Sequence, residues 1–304
     1  MKKIGFLFPG QGTQCIGMGQ TLIERYSFVR DMYNQASEVL GYDLAQLCKE
    51  GPIEKLTESR YCQPALFVHQ FASASILKSQ DALKEISVAA GLSIGSLTAL
   101  ALAGVYDFET GIRIVQKRGE LIQAACEKTR GGMASLLGVD IDKAKELCRV
   151  TGAEMSNVNC PGQIVISGEI SCIDEAVRCA SEVTDGRIIK LNVAGAFHSS
   201  LMTSACLPFE EFLAPLEFHE PQIPVISNVT GKVIDDASQI KSLLVKQIVS
   251  PVLWWQCMEI AKKLGVEHFY QCGTGKTLIG MARRIDPALK VIAFGEADDP
   301  INFD

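Results

Sequence analysis

The sequence predicts an α/β protein in which a domain with a mostly parallel sheet carries a smaller inserted unit. Short apolar runs alternate with segments of helical period through most of the chain, a pattern typical of parallel strands joined by covering helices. Residues 130–193 follow a separate order, βαββαβ, which is that of a ferredoxin-like subdomain. We therefore expect residues 1–129 and 194–304 to form the large domain and residues 130–193 to be inserted in it.

The large domain is expected to begin with a buried strand at 4–8 and a glycine-rich turn, followed by helices. An apolar helix is predicted from residue 63 to about residue 77, then a short buried strand at 86–90 and an apolar helix at 94–103. The remaining elements are expected after the insertion, in this order: a strand at 225–227, helices near 238–249 and 253–263, a strand at 268–272 and a helix at 276–284.

The inserted unit is expected to contain a hairpin closed by the turn sequence NCPG at 159–162. Its elements are predicted in this order: a strand at 133–139, a helix at 142–150, strands at 153–158 and 163–167, a helix at 173–183 and a strand at 187–193. The chain then returns to the large domain.

Composition narrows the class of function. The 304 residues are 47% hydrophobic and 21% charged, as in a soluble globular protein. The net charge of −6 argues against nucleic acid as the main partner. No stretch approaches the ~20 apolar residues of a membrane span, so we expect no membrane partner. The eleven cysteines lack CxxC pairs, which favours reduced thiols in the cytoplasm and argues against a zinc site.

The sharpest chemical signal is the sequence GLSIG at 91–95. GxSxG between a strand and a helix is the nucleophile-elbow pattern, in which glycines flank a serine on a strained turn. Such a turn exposes the hydroxyl of Ser93 at the carboxyl edge of the sheet and at a helix N-terminus, which favours developing negative charge. The same sequence can also form a glycine-rich turn without chemistry. We predict an α/β-hydrolase-like large domain with Ser93 as its nucleophile.

A serine nucleophile needs a base, and the chain has four histidines. His69 lies in a helical run and His268 in an apolar strand, where structural roles are expected. His219 lies in a loop flanked by proline and glutamate, which we expect to be exposed. His198 follows the sequence GAF at the end of a strand, a position that suits a catalytic loop.

Four further motifs accompany the elbow in order along the chain: FPGQGTQ at 8–14, QKRGE at 116–120, GAFH at 195–198 and the segment 247–254, which begins with glutamine and contains PV and Trp254. Together the five motifs resemble the malonyl-CoA:acyl carrier protein transacylases over essentially the whole chain. The resemblance implies transfer of malonyl from coenzyme A to the phosphopantetheine thiol of an acyl carrier protein. No permanently bound cofactor is expected, because malonyl-CoA enters as a substrate.

The resemblance also implies a role for each matching residue. Ser93 would form the acyl-enzyme, with His198 as its base. Backbone N–H groups of Gln11 and Ile94 would form the oxyanion hole. Arg118 would hold the malonyl carboxylate with its bidentate fork.

Four more residues are assigned on the same grounds. The backbone carbonyl of Gln247 would orient the catalytic histidine, and Phe197 would restrict the space beside the malonyl α-carbon. Asn159 and Asn228 are expected to line the cleft between the subdomains.

Two elbow residues depart from the family's usual GHSLGE. Leu92 stands in place of histidine, a variation also found in relatives that transfer malonyl. Ser96 stands in place of a residue that is usually acidic. We expect the change at Ser96 to bear on elbow geometry and turnover.

An acyl hydrolase or thioesterase of the same fold would share the elbow and the acyl-enzyme. It would need a carboxylate to orient His198, and Asp174 and Asp185 are candidates. Such an enzyme would have no use for a carboxylate clamp at Arg118. Water or a thiol as the acceptor distinguishes the two functions.

Two other classes of function fit the sequence less well. A nucleotide-binding protein is suggested by the sequence GTGKT at 273–277, but Tyr270 occupies the position of the first glycine of the P-loop pattern. A non-catalytic interaction protein would not need Ser93, His198 and Arg118 together.

Docking of an acidic carrier protein on a chain that is itself acidic is expected to need a local basic patch. The candidates lie near the predicted cleft-facing ends of elements: Arg187, Lys190, Lys276, Arg283 and Arg284.

Overall fold

The computed structural model describes residues 3–80, 86–183 and 186–302. Its strands are β1 (Ile4–Phe8), β2 (Val88–Gly91), β3 (Gly131–Leu137), β4 (Glu154–Cys160), β5 (Gln163–Glu169), β6 (Arg187–Lys190), β7 (Val225–Ile226), β8 (His268–Cys272) and β9 (Lys290–Phe294). Its helices are α1 (Gln20–Arg25), α2 (Ser27–Leu40), α3 (Leu44–Glu50), α4 (Ile53–Thr57), α5 (Ser59–Ser79), α6 (Ile94–Leu102), α7 (Phe108–Lys128), α8 (Ile141–Thr151), α9 (Ile170–Val183), α10 (Cys206–Leu213), α11 (Ile240–Ile248), α12 (Trp254–Lys263) and α13 (Thr277–Ile285).

The larger sheet is parallel throughout, with the strand order β7-β2-β1-β8-β9. Alternate side chains of the apolar strand β1 enter different layers. Phe6 and Phe8 join a core built largely from α2, α5, α6 and α7, whereas Leu7 packs with Trp254 and its neighbours on α12 and α13. The prediction of a mostly parallel sheet covered on both faces is therefore confirmed.

The register of this sheet brings two loops together. Phe8 pairs with Gly91, so β1 and β2 end at the same level. The N–H of Leu92 also donates to the carbonyl of Phe8 over 2.9 Å. The opening loop, residues 9–14, therefore meets the elbow, residues 91–95, at the carboxyl edge, where open α/β sheets bind their ligands.

The smaller sheet is antiparallel, with the order β4-β5-β3-β6. Its two faces have different partners because side chains alternate along each strand. Ala134 and Leu136 of β3 pack under α8 and α9, whereas Met133 and Ser135 face the cleft between the two sheets. One wall of the cleft therefore combines polar and apolar side chains of this sheet, and α8 and α9 cover the opposite face.

Helices α7 and α10 are not among the elements predicted from the sequence, and three further elements also differ from expectation. Helix α5 begins at Ser59, so Pro64 lies inside it; burial of nearly the whole helix stabilises it against the cost of an internal proline. The expected strand at 187–193 is too long, because residues 191–194 leave the sheet to line the cleft. Strand β9 is not predicted, since it is a half-exposed edge strand in which only Phe294 is fully buried.

No disulfide joins the eleven cysteines, all of which lie within the described ranges. No helix in the part of the chain that the structure describes is long and apolar enough to cross a membrane.

The elbow glycines are required by close packing. A Cβ on Gly91 would lie 1.9 Å from the carbonyl carbon of Gly95, and a Cβ on Gly95 would lie 2.2 Å from the carbonyl oxygen of Phe8. Both contacts are with backbone atoms, which cannot move aside as the end of a flexible side chain can. The start of α6 can therefore approach the end of β1 only because residue 95 has no side chain.

We expect Gly95→Ala to lower the free energy of unfolding by about 2–3 kcal/mol, because the new methyl group overpacks fixed backbone. Gly280→Ala is the matched control: Gly280 is exposed in α13, and a methyl group added there would meet no atom within 4 Å. Replacing a helical glycine there should raise stability by about 0.5–1 kcal/mol. Urea denaturation of both variants measures the difference; equal midpoints would contradict the packing argument.

Candidate active site

Ser93 stands on a strained turn between β2 and α6. Its backbone lies at φ 53° and ψ −111°, a region that residues with side chains rarely occupy. Asn228 braces the turn from behind: its Oδ1 accepts from the Ser93 N–H over 2.8 Å, and its Nδ2 donates to the Gly91 carbonyl over 2.8 Å. The expectation that Asn228 lines the cleft is wrong, because both ends of its amide are committed to the elbow backbone.

His198 connects the serine to the end of α11. Its Nε2 lies 2.8 Å from Ser93 Oγ, and its Nδ1 lies 2.8 Å from the backbone carbonyl oxygen of Gln247. A carbonyl can only accept, so Nδ1 carries the proton and Nε2 is left to accept from the serine hydroxyl. Gln247 is the penultimate residue of α11, where helix carbonyls have no intrahelical partner.

The electrostatic setting keeps His198 neutral. Burial lowers the pKa of His198 from 6.5 to about 4, and the nearby positive charge of Arg118 acts in the same direction. The hydrogen bond to Gln247 opposes this shift but does not cancel it. At neutral pH the imidazole is therefore an unprotonated base in contact with the nucleophile.

The carboxylate that a hydrolase-type triad requires is not Asp174. That residue lies on α9 and pairs with Lys190, on the helical face of the smaller sheet and away from the cleft. Asp185 lies outside the described residues. The Nδ1 position of His198 is taken by a neutral carbonyl oxygen.

Arg118 reaches the serine from the middle of α7 and is only 1% exposed. Its Nη1 donates to Gln63 Oε1 over 2.9 Å, and its Nη2 donates to Gln247 Oε1 over 3.1 Å and to Ser93 Oγ over 3.3 Å. All of these partners are neutral, and the Nε–H has none within the described residues. Burial lowers the pKa of Arg118 to about 10, which still leaves a cation at neutral pH.

Gly119 allows this placement. A Cβ there would lie 2.5 Å from the carbonyl oxygen of Ser59, so α7 can approach α5 closely enough for Arg118 to reach Gln63. Sequence reasoning did not single out Gln63. An amide side chain at the start of the apolar run at 63–68 was the signal that could have identified it.

Two backbone N–H groups lie beside the nucleophile. Ile94 is the first residue of α6, where helix N–H groups have no intrahelical acceptor. The opening loop presents Gln11, whose side chain is held by the carbonyl of Thr57 and the hydroxyl of Ser59. Within the described residues, neither the Gln11 N–H nor the Ile94 N–H donates a hydrogen bond to the protein.

The GTGKT segment supports this loop. Thr274 Oγ1 donates to the carbonyl of Thr13 over 2.6 Å, and Gln271 Nε2 donates to the carbonyl of Gly275 over 2.6 Å. Its hydrogen bonds thus hold the opening loop against β8.

The cleft beside Ser93 encloses about 370 Å³. Phe197 and Asn159 both line it. Asn159 is 4% exposed, and its Oδ1 has no hydrogen-bond partner within the described residues. Much of the remaining wall is apolar: Leu92, Ile122, Met133, Val165, Leu191, Val193, Met202, Ile248, Leu278 and Met281.

The five basic candidates for carrier docking lie in different parts of the structure. Lys190 pairs with a carboxylate on the helical face of the smaller sheet, and Arg283 lines a different groove between α13 and β9. Arg187 is exposed on the edge strand β6. Arg284 donates to Gln163, a cleft-lining residue, over 3.0 Å, and Lys276 is exposed immediately before the cleft-lining residue Thr277.

Comparison with known proteins agrees with this geometry. Residues 5–268 match the family described as acyl transferase domain. The malonyl CoA-acyl carrier protein transacylase of Bacillus subtilis is 36% identical over 303 residues, which cover 98% of this chain and 95% of that protein. The polyketide biosynthesis protein ThaF of Burkholderia thailandensis is 40% identical over 298 residues, which cover 97% of this chain but 25% of ThaF.

A solved structure resembles this chain in both sequence and fold. The acyl carrier protein S-malonyltransferase from Vibrio cholerae superposes with a TM-score of 0.93 at 36% identity, and the match covers 98% of each chain. Both the sequence and the fold are thus shared over nearly the full length. The chain belongs to the acyl transferase domain family and, within it, to the malonyl-CoA:acyl carrier protein transacylases.

Proposed function

We propose that this chain transfers a malonyl group from coenzyme A to the phosphopantetheine thiol of an acyl carrier protein. The observation that carries the proposal is the pairing of a nucleophile with an unneutralised cation. Ser93 Oγ lies 2.8 Å from the neutral base His198 and 3.3 Å from the buried guanidinium of Arg118. A charged acyl group with a reactive carbonyl fits both requirements at once.

The first half of the reaction acylates Ser93. Its oxygen attacks the thioester carbonyl while His198 Nε2 takes the hydroxyl proton. The N–H groups of Gln11 and Ile94 stabilise the oxyanion that develops. The C–S bond then breaks. The coenzyme A thiolate takes the proton from His198 and leaves as a thiol, so that His198 is neutral again.

The second half repeats these steps with a different thiol. The carrier's phosphopantetheine thiol gives its proton to His198 and attacks the acyl-enzyme carbonyl. Collapse of the tetrahedral intermediate releases Ser93, which takes the proton back from His198. The hydrogen bond from Nδ1 to the Gln247 carbonyl keeps the imidazole in one orientation throughout both halves.

Acyl selectivity is proposed to rest on Arg118. A buried cation with neutral partners remains costly until an anion pairs with it, and the malonyl carboxylate supplies that anion. Acetyl would leave the guanidinium unpaired. Phe197 is proposed to limit the space beside the malonyl α-carbon. The unpartnered Oδ1 of Asn159 is proposed to accept an amide N–H of the phosphopantetheine arm.

A hydrolase of the same fold is the alternative. Nothing in the described site supports it over transfer, since the histidine is oriented by a carbonyl and the cleft holds an unpaired cation. The acceptor, thiol or water, is the property that separates the two functions.

The proposed organisation is a large α/β-hydrolase-like domain, residues 1–129 and 194–304, with a ferredoxin-like subdomain at 130–193. The parallel order of the larger sheet and the order β4-β5-β3-β6 of the smaller sheet support this division. The absence of disulfides among the cysteines supports a reducing compartment, and we propose the cytoplasm. The proposed chemistry uses side chains and backbone alone, with no resident cofactor.

The central test is intact-mass spectrometry of the enzyme mixed with malonyl-CoA. We expect one malonyl group per chain on the wild type, transfer of that group when phosphopantetheinylated carrier is added, and no label on Ser93→Ala. Arg118→Ala should lose malonyl labelling and gain labelling by acetyl-CoA relative to the wild type. Labelled Ser93→Ala protein, or rapid release of free malonate in place of transfer, would overturn the proposal.

The pH dependence of acylation should follow the lowered pKa of His198. Because the folded pKa is about 4, the base is lost only as pH falls toward 4, and kcat/KM for malonyl-CoA should change little between pH 7 and 5.5. An ordinary histidine would be about 90% protonated at pH 5.5. Enzyme held at pH 5.5 and assayed at pH 7 controls for unfolding. An acid limb centred near pH 6.5 would contradict the lowered pKa.

Carrier docking should depend on the two basic residues beside the cleft. Lys276→Glu and Arg284→Glu should each raise KM for the carrier by about three- to tenfold and leave acylation by malonyl-CoA unchanged. Added salt should weaken carrier loading in the wild type. Lys143→Glu is the control, because α8 covers the face of the smaller sheet opposite the cleft. Equal KM values for all three variants would place docking elsewhere.

A further inference from the structure

Ser96 lies on the first turn of α6, one turn beyond the nucleophile, and is 5% exposed. Its hydroxyl donates to the Ser93 carbonyl over 2.7 Å and accepts from Gln247 Nε2 over 2.8 Å. It does not line the cleft; it borders a small internal cavity of about 20 Å³ behind the elbow. Ser96 thus touches both the nucleophile's backbone and the residue that contacts Arg118.

The two ends of the Gln247 side chain have different partners. Nε2 donates to Ser96 Oγ and, over 3.2 Å, to Asn228 Oδ1. Oε1 accepts from Arg118 Nη2 over 3.1 Å. A guanidinium only donates, so a flipped amide would turn its NH₂ group toward a cation that cannot accept from it. Arg118 and the acceptors on Nε2 therefore favour the same orientation of the amide, and the acceptors hold the end that Arg118 does not touch.

We propose that Ser96 is a positioning residue for acyl selectivity: it fixes the Gln247 amide so that its oxygen holds the Arg118 guanidinium in place for a carboxylated acyl group. This inference rests on the proposed malonyl transfer. A carboxylate at this position could accept from Nε2 but, when ionised, could not donate to the Ser93 carbonyl. The Ser96 hydroxyl donates to the Ser93 carbonyl and accepts from Gln247 Nε2. One oxygen atom therefore links the elbow to the side chain that contacts Arg118.

The test compares acylation by malonyl-CoA and by acetyl-CoA in two variants. Ser96→Ala removes the acceptor, and the ratio of kcat/KM for malonyl-CoA to that for acetyl-CoA should fall about tenfold. Ser96→Thr keeps the hydroxyl, and the adjoining cavity leaves room for its methyl group. Its ratio should stay within about twofold of the wild type.

A merely structural role for Ser96 predicts a different result. Loss of elbow geometry would slow both substrates equally, and an unchanged ratio in Ser96→Ala would overturn the inference. A wild type that does not accept malonyl at all would instead overturn the proposed function. The two failures are therefore distinguishable in one data set.

A double-mutant cycle with Gln247→Leu tests the route of action. Leucine removes both amide ends but keeps the backbone carbonyl that orients His198. If Ser96 acts through this amide, Ser96→Ala should cause no further loss of selectivity in the Gln247→Leu background. Additive losses of selectivity would show that Ser96 acts by another route and would overturn the inference.

Discussion

The cation of Arg118 is the constraint on which the rest of the site depends. A guanidinium that is almost fully buried, with only neutral partners, must be supported by hydrogen bonds that cannot neutralise it. Its field also helps to lower the pKa of His198, so that the base is unprotonated where the substrate arrives. The same charge therefore offers an anion a partner beside the nucleophile and helps to keep the neighbouring imidazole neutral. Each task would be weakened by a protein carboxylate at this point, which would neutralise the cation and stabilise a protonated histidine.

Strain at Ser93 is stabilised by a second set of contacts, which centres on Asn228. The positive φ of the nucleophile persists because Asn228 accepts from the Ser93 N–H and donates to the Gly91 carbonyl. The glycines on either side allow β1 and α6 to close around the turn. Strand register then places the opening loop beside the elbow. The backbone N–H groups of Gln11 and Ile94 are consequently positioned beside Ser93 by the sheet itself.

The sequence predicted the reacting groups better than their supports. Ser93, His198 and Arg118 were found because each lies in a short contiguous motif, and the structure brings the three together. Asn228 was misplaced because no local pattern distinguishes an amide that faces a cleft from one behind a turn 135 residues away. Lys190 was misassigned to the docking surface because the sequence does not show which face of the smaller sheet its side chain occupies. That face depends on the register of β6 with β3. Supports and surfaces arise from long-range packing, which a motif does not encode.

The two sheets divide the work of recognition. The parallel sheet places Ser93 at its carboxyl edge, whereas the antiparallel sheet contributes one wall of the cleft, including Asn157 and Asn159, and carries α8 and α9 on its other face. A wall of this kind can exchange side chains without disturbing its own core, because residues that face the cleft do not pack under α8 and α9. The side chains that this sheet presents to the cleft can therefore vary while the elbow, His198 and Arg118 stay fixed.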